Sequence, residues 1–313
     1  MLYAYPKLSD NKKSLDIGIC RLFYGPGLCN LLFPWARTIV ASKKYGLKIL
    51  FPAWIQIHIM PTIRGESDKR IYYDLFEPTE DYIKGIEKMK ILLREVKISE
   101  KKFLKFKENI KSNKIIIFEG LKNCFSITDE INKELYHNHE LILKELLKIT
   151  KNRHKNGIKY DFQKSICIHV RLGDFKSPKN ISRLEEQPRN YRIPMEWYIQ
   201  QVIKIRHVLS QETPVYVFSD GKDHELAPLL NMKNVKRLSF GSSISDLLAL
   251  SQSNILIASG SSFSQWASYL GRMPIIWHKG HLKNKLYHEK PNAEIELGKN
   301  DHLPETFIKQ IKT

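Results

Sequence analysis

Beyond about residue 160 the chain settles into a regular alternation of short apolar runs and longer amphipathic stretches. Ile166–Val170 is apolar, β-branched and too short for a helix, which predicts a buried strand ending at Arg171. A long polar loop, Asp174–Arg192, comes next, then a helix with Pro194 in its first turn that runs to about Leu209. Strands at 214–219, 235–239, 254–258 and 274–277 alternate with helices at 223–230, 244–252 and 262–270. Single helices between strands at this spacing predict parallel βαβ units in a Rossmann-like sheet.

The first half is less regular. Residues 16–24 alternate like a strand and run into Gly25-Pro26-Gly27; a helix over 31–45 follows, with Pro34 in its first turn and Gly46 closing it. Strands are predicted at 48–53 and 115–118. Between them, 64–70 reads as an exposed loop, and Tyr72, Tyr73 and Phe76 either line a groove or pack inside. Residues 84–111 form a basic amphipathic region, broken at least once, suited to a solvated helix face or to an anionic membrane surface. One long helix is predicted over 128–150, with Ile131, Leu135, Leu141, Ile142 and Leu146 on one stripe. His137-Asn138-His139-Glu140 lies on it, but residues two apart on a helix do not share a face, so no metal site follows.

The polar segment 151–159 is the natural linker. The chain therefore divides into an N-terminal domain (1–153), a C-terminal domain (160–290), and a tail (291–313) expected to pack back on the N-terminal domain. The fold class is α/β, with two Rossmann-like domains facing a central cleft. With 313 residues, 42% of them hydrophobic, the chain can bury two cores of ordinary size.

The net charge of +18, from 51 basic and 33 acidic residues, favours anionic partners: a phosphorylated substrate, anionic lipid or nucleic acid. The basic runs are not interleaved with aromatic residues as in a recognisable nucleic-acid module, so nucleic acid is not an expected partner. Four cysteines without a CxxC pair read as buried free thiols in a reducing compartment. No apolar run approaches the ~18 residues of a membrane span, so a cytoplasmic protein is expected, peripheral at the inner membrane if its basic surface meets lipid.

Chemistry-bearing residues of the second half collect where its strands end. His169 and Arg171 end the first, Ser219-Asp220-Gly221 the second, and Ser259-Gly260-Ser261-Ser262-Phe263 the fourth, just before a helix. In open α/β sheets ligands bind beyond the carboxyl ends of the strands. A guanidinium fork matches phosphate oxygens, and a helix start offers free N–H groups and a positive dipole end. Each feature has a plainer reading as well. Arg171 and Asp174 are equally a strand-end ion pair, and Ser261 an ordinary N-cap. Taken together, the three strand ends describe a nucleotide diphosphate site with no Walker lysine, no Asp-x-Asp and no predicted metal.

These residues carry a family resemblance. His169-Val170-Arg171-Leu172-Gly173-Asp174 resembles the H-x-R-R-x-D motif of GDP-fucose-using fucosyltransferases, which include α1,2-, α1,6- and protein O-fucosyltransferases. Residues 246–254 and 261–267 resemble the D-L-x-x-(L/M)-S and S-S-F-S-W-W-A blocks of bacterial α1,2-fucosyltransferases, and Val217-Phe218-Ser219-Asp220 their F-S-D segment. Residues 27–36 are similar to G-L-G-N-Q-L-F-Q-Y-A. Leu172, Cys29 and Leu31 stand where those patterns have arginine, glycine and glutamine.

The resemblance implies a GT-B architecture with a C-terminal donor domain, and inverting, metal-independent transfer of L-fucose from GDP-fucose, without a cofactor, to a glycan hydroxyl. The linkage it implies is α1,2 to galactose, in bacterial surface polysaccharide synthesis of the O-antigen kind. Both a free and a lipid-linked glycan acceptor fit this reading. His169 and Asp246 would contact the guanine or ribose, and Arg171, Ser261 and Ser262 the diphosphate. Phe263, Asp220, Gly27 and Asn30 complete the donor set, with Asn30 on the facing domain. Arg171 and Asp174 are the candidate catalytic residues, Asp174 as base. Three other readings stay open: another GDP-6-deoxyhexose such as GDP-colitose, or another linkage; a transferase that binds without turnover; and a basic polyanion- or nucleic-acid-binding protein without catalysis.

Overall fold

The computed structural model describes residues 1–313 apart from 10–13, 24, 58–62, 64–70, 73, 111–112, 121–129, 179–183, 185–189, 283–284, 288, 291 and 313. The expected loop at 64–70, Tyr73, Cys124, the start of the 128–150 helix and most of the second half of the Asp174–Arg192 loop lie outside the described residues. The chain forms two compact units, Met1–Asn152 and Arg153–Thr313.

The first unit runs β1 (Leu2–Pro6), β2 (Ser14–Asp16), β3 (Cys20–Phe23), α1 (Leu28–Tyr45), β4 (Lys48–Leu50), β5 (Ile55–Ile57) and β6 (Tyr82–Ile83). It continues with α2 (Gly85–Arg94), β7 (Val96–Ser99), α3 (Glu100–Phe106), β8 (Lys114–Phe118), α4 (Glu130–His137) and α5 (His139–Ile149). Five strands make a parallel sheet in the order β6-β4-β1-β8-β7. Its central strand, β1, was not expected, because Leu-Tyr-Ala-Tyr-Pro has neither clean alternation nor a β-branched residue.

The other departures have local causes. The strand expected over 16–24 is the antiparallel pair β2–β3, with β3 also paired parallel to β5. The first helix begins three residues earlier than its proline suggests. Leu28, Leu31, Leu32 and Trp35 form one buried stripe from the first residue on, and that burial outweighs the N–H missing at Pro34. The 128–150 helix is two helices parted at Asn138, whose amide Nδ2 donates to Glu134 O at 2.7 Å. The basic region 84–111 contains β7 between its two helices. Tyr72 and Phe76 are buried and pack. Cys29 and Cys167 are buried free thiols, whereas Cys20 is only half-buried.

The second unit runs β9 (Ile166–Val170), α6 (Met195–Val208), β10 (Val215–Ser219), α7 (Asp223–Leu230), β11 (Val235–Arg237) and α8 (Ser243–Leu250). Then come β12 (Ile255–Ile257), α9 (Ser262–Gly271), β13 (Ile275–His278), β14 (Glu294–Leu297) and α10 (Glu305–Lys312). All six strands are parallel, in the order β11-β10-β9-β12-β13-β14. The α/β class holds in both units. Segment 151–159 is not a loose tether: two short 3₁₀ turns lie in it, and Gly157 packs against Ser245 O and Ala249 of α8.

The tail corrects an expectation. Residues 294–297 form the edge strand of the second sheet, and Phe307 and Ile311 of α10 enter that unit's core with Trp197, Val202 and Leu297. The indole Nε1 of Trp197 donates to Leu297 O at 2.9 Å. Two apolar anchors on one face of a short helix fix it here, because full burial of a Phe is worth roughly 1.5–3 kcal/mol. Phe307→Ala should therefore lower the unfolding free energy in urea by about 3–5 kcal/mol; a loss below about 1 kcal/mol would place the tail elsewhere.

Candidate active site

Strand β9 has all five residues buried and lies between β10 and β12. Its register pairs Val170 with Ser219 of β10, so the next residues, Arg171 and Asp220, emerge side by side. Arg171 Nη1 lies 2.7 Å from Asp220 Oδ2, and Arg171 Nη2 lies 2.6 Å from Asp174 Oδ1. The guanidinium carbon stands 5.7 Å from the centre of the Phe175 ring. The strand-end ion pair is thus present, and doubled. Asp220 also accepts from Leu172 N at 2.8 Å through its other oxygen. Gly173 is required beside it, since a Cβ there would stand 2.3 Å from Asp220 Oδ2.

On the other side, β12 leads into the serine turn and α9. Ser261 is the N-cap, its Oγ accepting from Ser264 N. His169 is buried under this turn. Its Nδ1 lies 2.8 Å from Ser264 Oγ, 3.0 Å from Ser259 Oγ and 3.4 Å from Ser261 Oγ. Its ring packs on Phe263 with centroids 4.8 Å apart. Ser262 and Phe263, the first two residues of α9, are half-buried. At an α-helix start the first N–H groups have no intrahelical partner, so these positions suit an anion.

The remaining expected residues fall in different places. Asp246, in the first turn of α8, accepts from Phe240 N at 2.5 Å and Ser239 Oγ at 3.3 Å, and so closes the loop after β11. Gly27 and Asn30 belong to the first unit: Gly27 is the N-cap of α1, and Asn30 N donates to Gly27 O at 3.0 Å. Nothing lies within 4 Å of a Cβ built on Gly27. Among the described residues no group of His, Cys, Asp and Glu could hold a metal ion, and none of their helices is long and apolar enough to cross a membrane.

Arg192 was not singled out from the sequence, yet it frames the site. Its Nε donates to Leu172 O and Phe175 O, both at 2.9 Å, and its Nη1 lies 2.9 Å from Glu225 Oε1. Glu225 in turn accepts from Lys222 N at 2.9 Å, so the loop after β9 is strapped to the start of α7. Contacts to carbonyls leave no sequence pattern; the nearest signal was its position at the end of the predicted loop.

A paired guanidinium and a serine-capped helix start, side by side at the carboxyl edge of a parallel sheet, can hold a phosphate-bearing ligand. The chain is a glycosyltransferase. The model of glycosyl transferase family 11 matches residues 89–290, more than half of the chain, and the chain belongs to that family. No curated protein matches it. Among solved structures it is similar to fucosyltransferase NodZ from Bradyrhizobium, at 14% identity and TM-score 0.48, over 89% of this chain and 96% of that one. It is similar also to NodZ α1,6-fucosyltransferase soaked with GDP-fucose (13%, TM-score 0.46, 88% and 94%). A third is POFUT1 in complex with GDP (12%, TM-score 0.45, 88% and 97%).

Burial, with Arg171 as the lesser cause, pushes the His169 imidazole down to about 3 from 6.5. As pH falls, the unfolded chain takes up this proton first. The stability that His169 lends is intact above pH 6.5 and is lost between 6.5 and 3, at up to about 1.4 kcal/mol per pH unit. Urea unfolding of His169→Gln should therefore fall less steeply than wild type from pH 6.5 to 4; parallel slopes would mean an exposed or charged imidazole.

Proposed function

We propose that this glycosyltransferase moves L-fucose from GDP-fucose to a glycan hydroxyl with inversion, forming an α1,2 bond to galactose in bacterial surface polysaccharide. The observation that carries the reading is the Arg171 fork, braced by Asp174 and Asp220, at the strand end next to the serine turn. It is joined by the H-x-R-x-x-D and S-S-F-S patterns on that same edge and by membership of family 11.

In this reading the second unit, Arg153–Thr313, is the donor domain of a GT-B architecture, and the first unit, Met1–Asn152, to which Gly27 and Asn30 belong, serves the acceptor. The acceptor oxygen attacks C1 as the bond from C1 to the β-phosphate oxygen breaks, and GDP leaves. Negative charge grows on the β-phosphate, so the useful contacts are those that strengthen during this step. Arg171 supplies the main one and the start of α9 a second, through Ser261 and Ser262. In the mechanism proposed, the guanidinium donors and the helix start take this role without a metal ion. Asp174 takes the acceptor proton and also orients the fork through its ion pair with Arg171. His169 works from beneath, keeping the serine turn in place. Asp246 and Asp220 shape the guanosine end and the phosphate end respectively, Asp246 through the loop at Phe240. A cytoplasmic enzyme, peripheral at the inner membrane when its acceptor is lipid-linked, suits the +18 charge.

Losing one preorganised donor of this kind costs roughly 10²–10³ in turnover. Arg171→Ala should lose that much in a GDP-release assay with a series of galactose-terminated acceptors, and Arg171→Lys, a point charge without the fork, should recover little of it. Retention of most of the wild-type rate by Arg171→Ala would remove the assigned role. Asp174→Asn should slow turnover and flatten the acid limb of the pH–rate profile; an unchanged profile at full turnover would exclude Asp174 as base.

A further inference from the structure

Two imidazoles flank the serine turn, and only one of them is satisfied by the protein. His169 has three serine hydroxyls around its Nδ1. His281, on the loop that leaves β13, is 6% exposed, and neither Nδ1 nor Nε2 has a hydrogen-bond partner. Buried polar groups are nearly always paired, and leaving one unpaired costs free energy. Such a group is open to a partner from outside the protein.

Its position says which ligand. β13 lies next to β12 in the sheet, so the loop after β13 leaves the sheet beside the serine turn. A Cβ built on Gly260 would stand 2.0 Å from His281 Nδ1 and 2.4 Å from Cε1. The ring edge bearing Nδ1 therefore faces the backbone of the turn itself, and only glycine fits between the two. The ring of His278 meets it edge-on, with centroids 5.3 Å apart, and His278 Nδ1 lies 3.0 Å from Lys279 O. Burial, with His278 as the second cause, pushes His281 down to about 3, so the ring is neutral near pH 7. A neutral imidazole offers one N–H donor and one lone pair, and an anion held by the N–H groups of the turn would be in reach of that donor.

We propose that His281 is a ligand-contacting residue of this site, its imidazole donating to a diphosphate oxygen of the nucleotide seated on the Ser259–Ser262 turn. The assignment rests on the donor reading above. It makes Gly260 and His281 a matched pair, the missing side chain of one giving the ring of the other access to the turn.

The test reads the side-chain ¹⁵N resonances of His281 in the wild-type protein, assigned by their loss in His281→Gln, during titration with GDP and, separately, with inorganic pyrophosphate. Calorimetry of GDP binding accompanies it for wild type, Arg171→Ala, His281→Phe and His281→Gln. Both ligands should shift the His281 resonances. His281→Phe should weaken GDP binding roughly ten- to hundredfold, with His281→Gln, which keeps an N–H, recovering part of it. If GDP binds wild type and Arg171→Ala loses it, but His281 does not respond and His281→Phe binds as wild type, the proposal is overturned and the donor reading stands. If GDP does not bind while pyrophosphate moves His281, the donor reading falls and the anion contact stands. Should His281→Phe fail to fold, the wild-type resonances decide alone.

Discussion

The parallel pairing of β9 with β10 and β12 decides where charge can stand in this protein. All five residues of β9 are buried, so the first position open to a cation is the one just past its end. There the register brings Asp220 alongside Arg171, while the partner on the other side, β12, delivers the serine turn. An ion pair this exposed, with side chains 26% and 24% accessible, is worth about 0–1 kcal/mol of stability. Its consequence is orientation: two carboxylates and a glycine without a Cβ hold a guanidinium fork in one attitude at the carboxyl edge of the sheet.

The polar groups around this edge form two kinds of support. One is buried and neutral: His169 with Ser259, Ser261 and Ser264, which ties β9 to the start of α9. The other is charged and half-exposed: Arg192, which gathers the carbonyls of the loop after β9 and pairs with Glu225. The first unit uses a buried cation in a comparable way. Arg21 is fully buried and donates to the carbonyls of Leu8, Ala53 and Trp54, and burial lowers it to about 10. Backbone carbonyls are effective partners for such a cation because they satisfy its donors without adding a second charge to desolvate.

Much of the second unit was legible in the sequence because strands buried on both faces read as short apolar runs. β9, β10 and α9 fall within a residue or two of their expected bounds. β14 was not legible: Glu-Ile-Glu-Leu looks solvent-facing, yet Glu294 is buried, accepts from Leu286 N and Tyr287 N, and is raised to about 7 by desolvation. In the first unit the Tyr- and Pro-containing β1 and the turn between β2 and β3 carry too little alternation to be separated. Of the site, the residue types and their strand ends could be read, since motif and topology both mark them. What could not be read was division of labour. Asp220 braces the fork, Arg192 straps a loop through carbonyls, and His281 faces a glycine more than twenty residues before it, all of them contacts made only by the fold.

The central claim is that this edge recognises a guanosine diphosphate. Thermal unfolding of the wild-type protein with GDP, GMP, ADP and UDP at one ionic strength tests it most directly, because a ligand that binds only the folded state raises the melting temperature. The account predicts a clear upward shift with GDP, a smaller one with GMP, and little with ADP or UDP. Equal shifts with all three diphosphates would reduce the site to a general anion trap, and no shift with any of them would contradict the account.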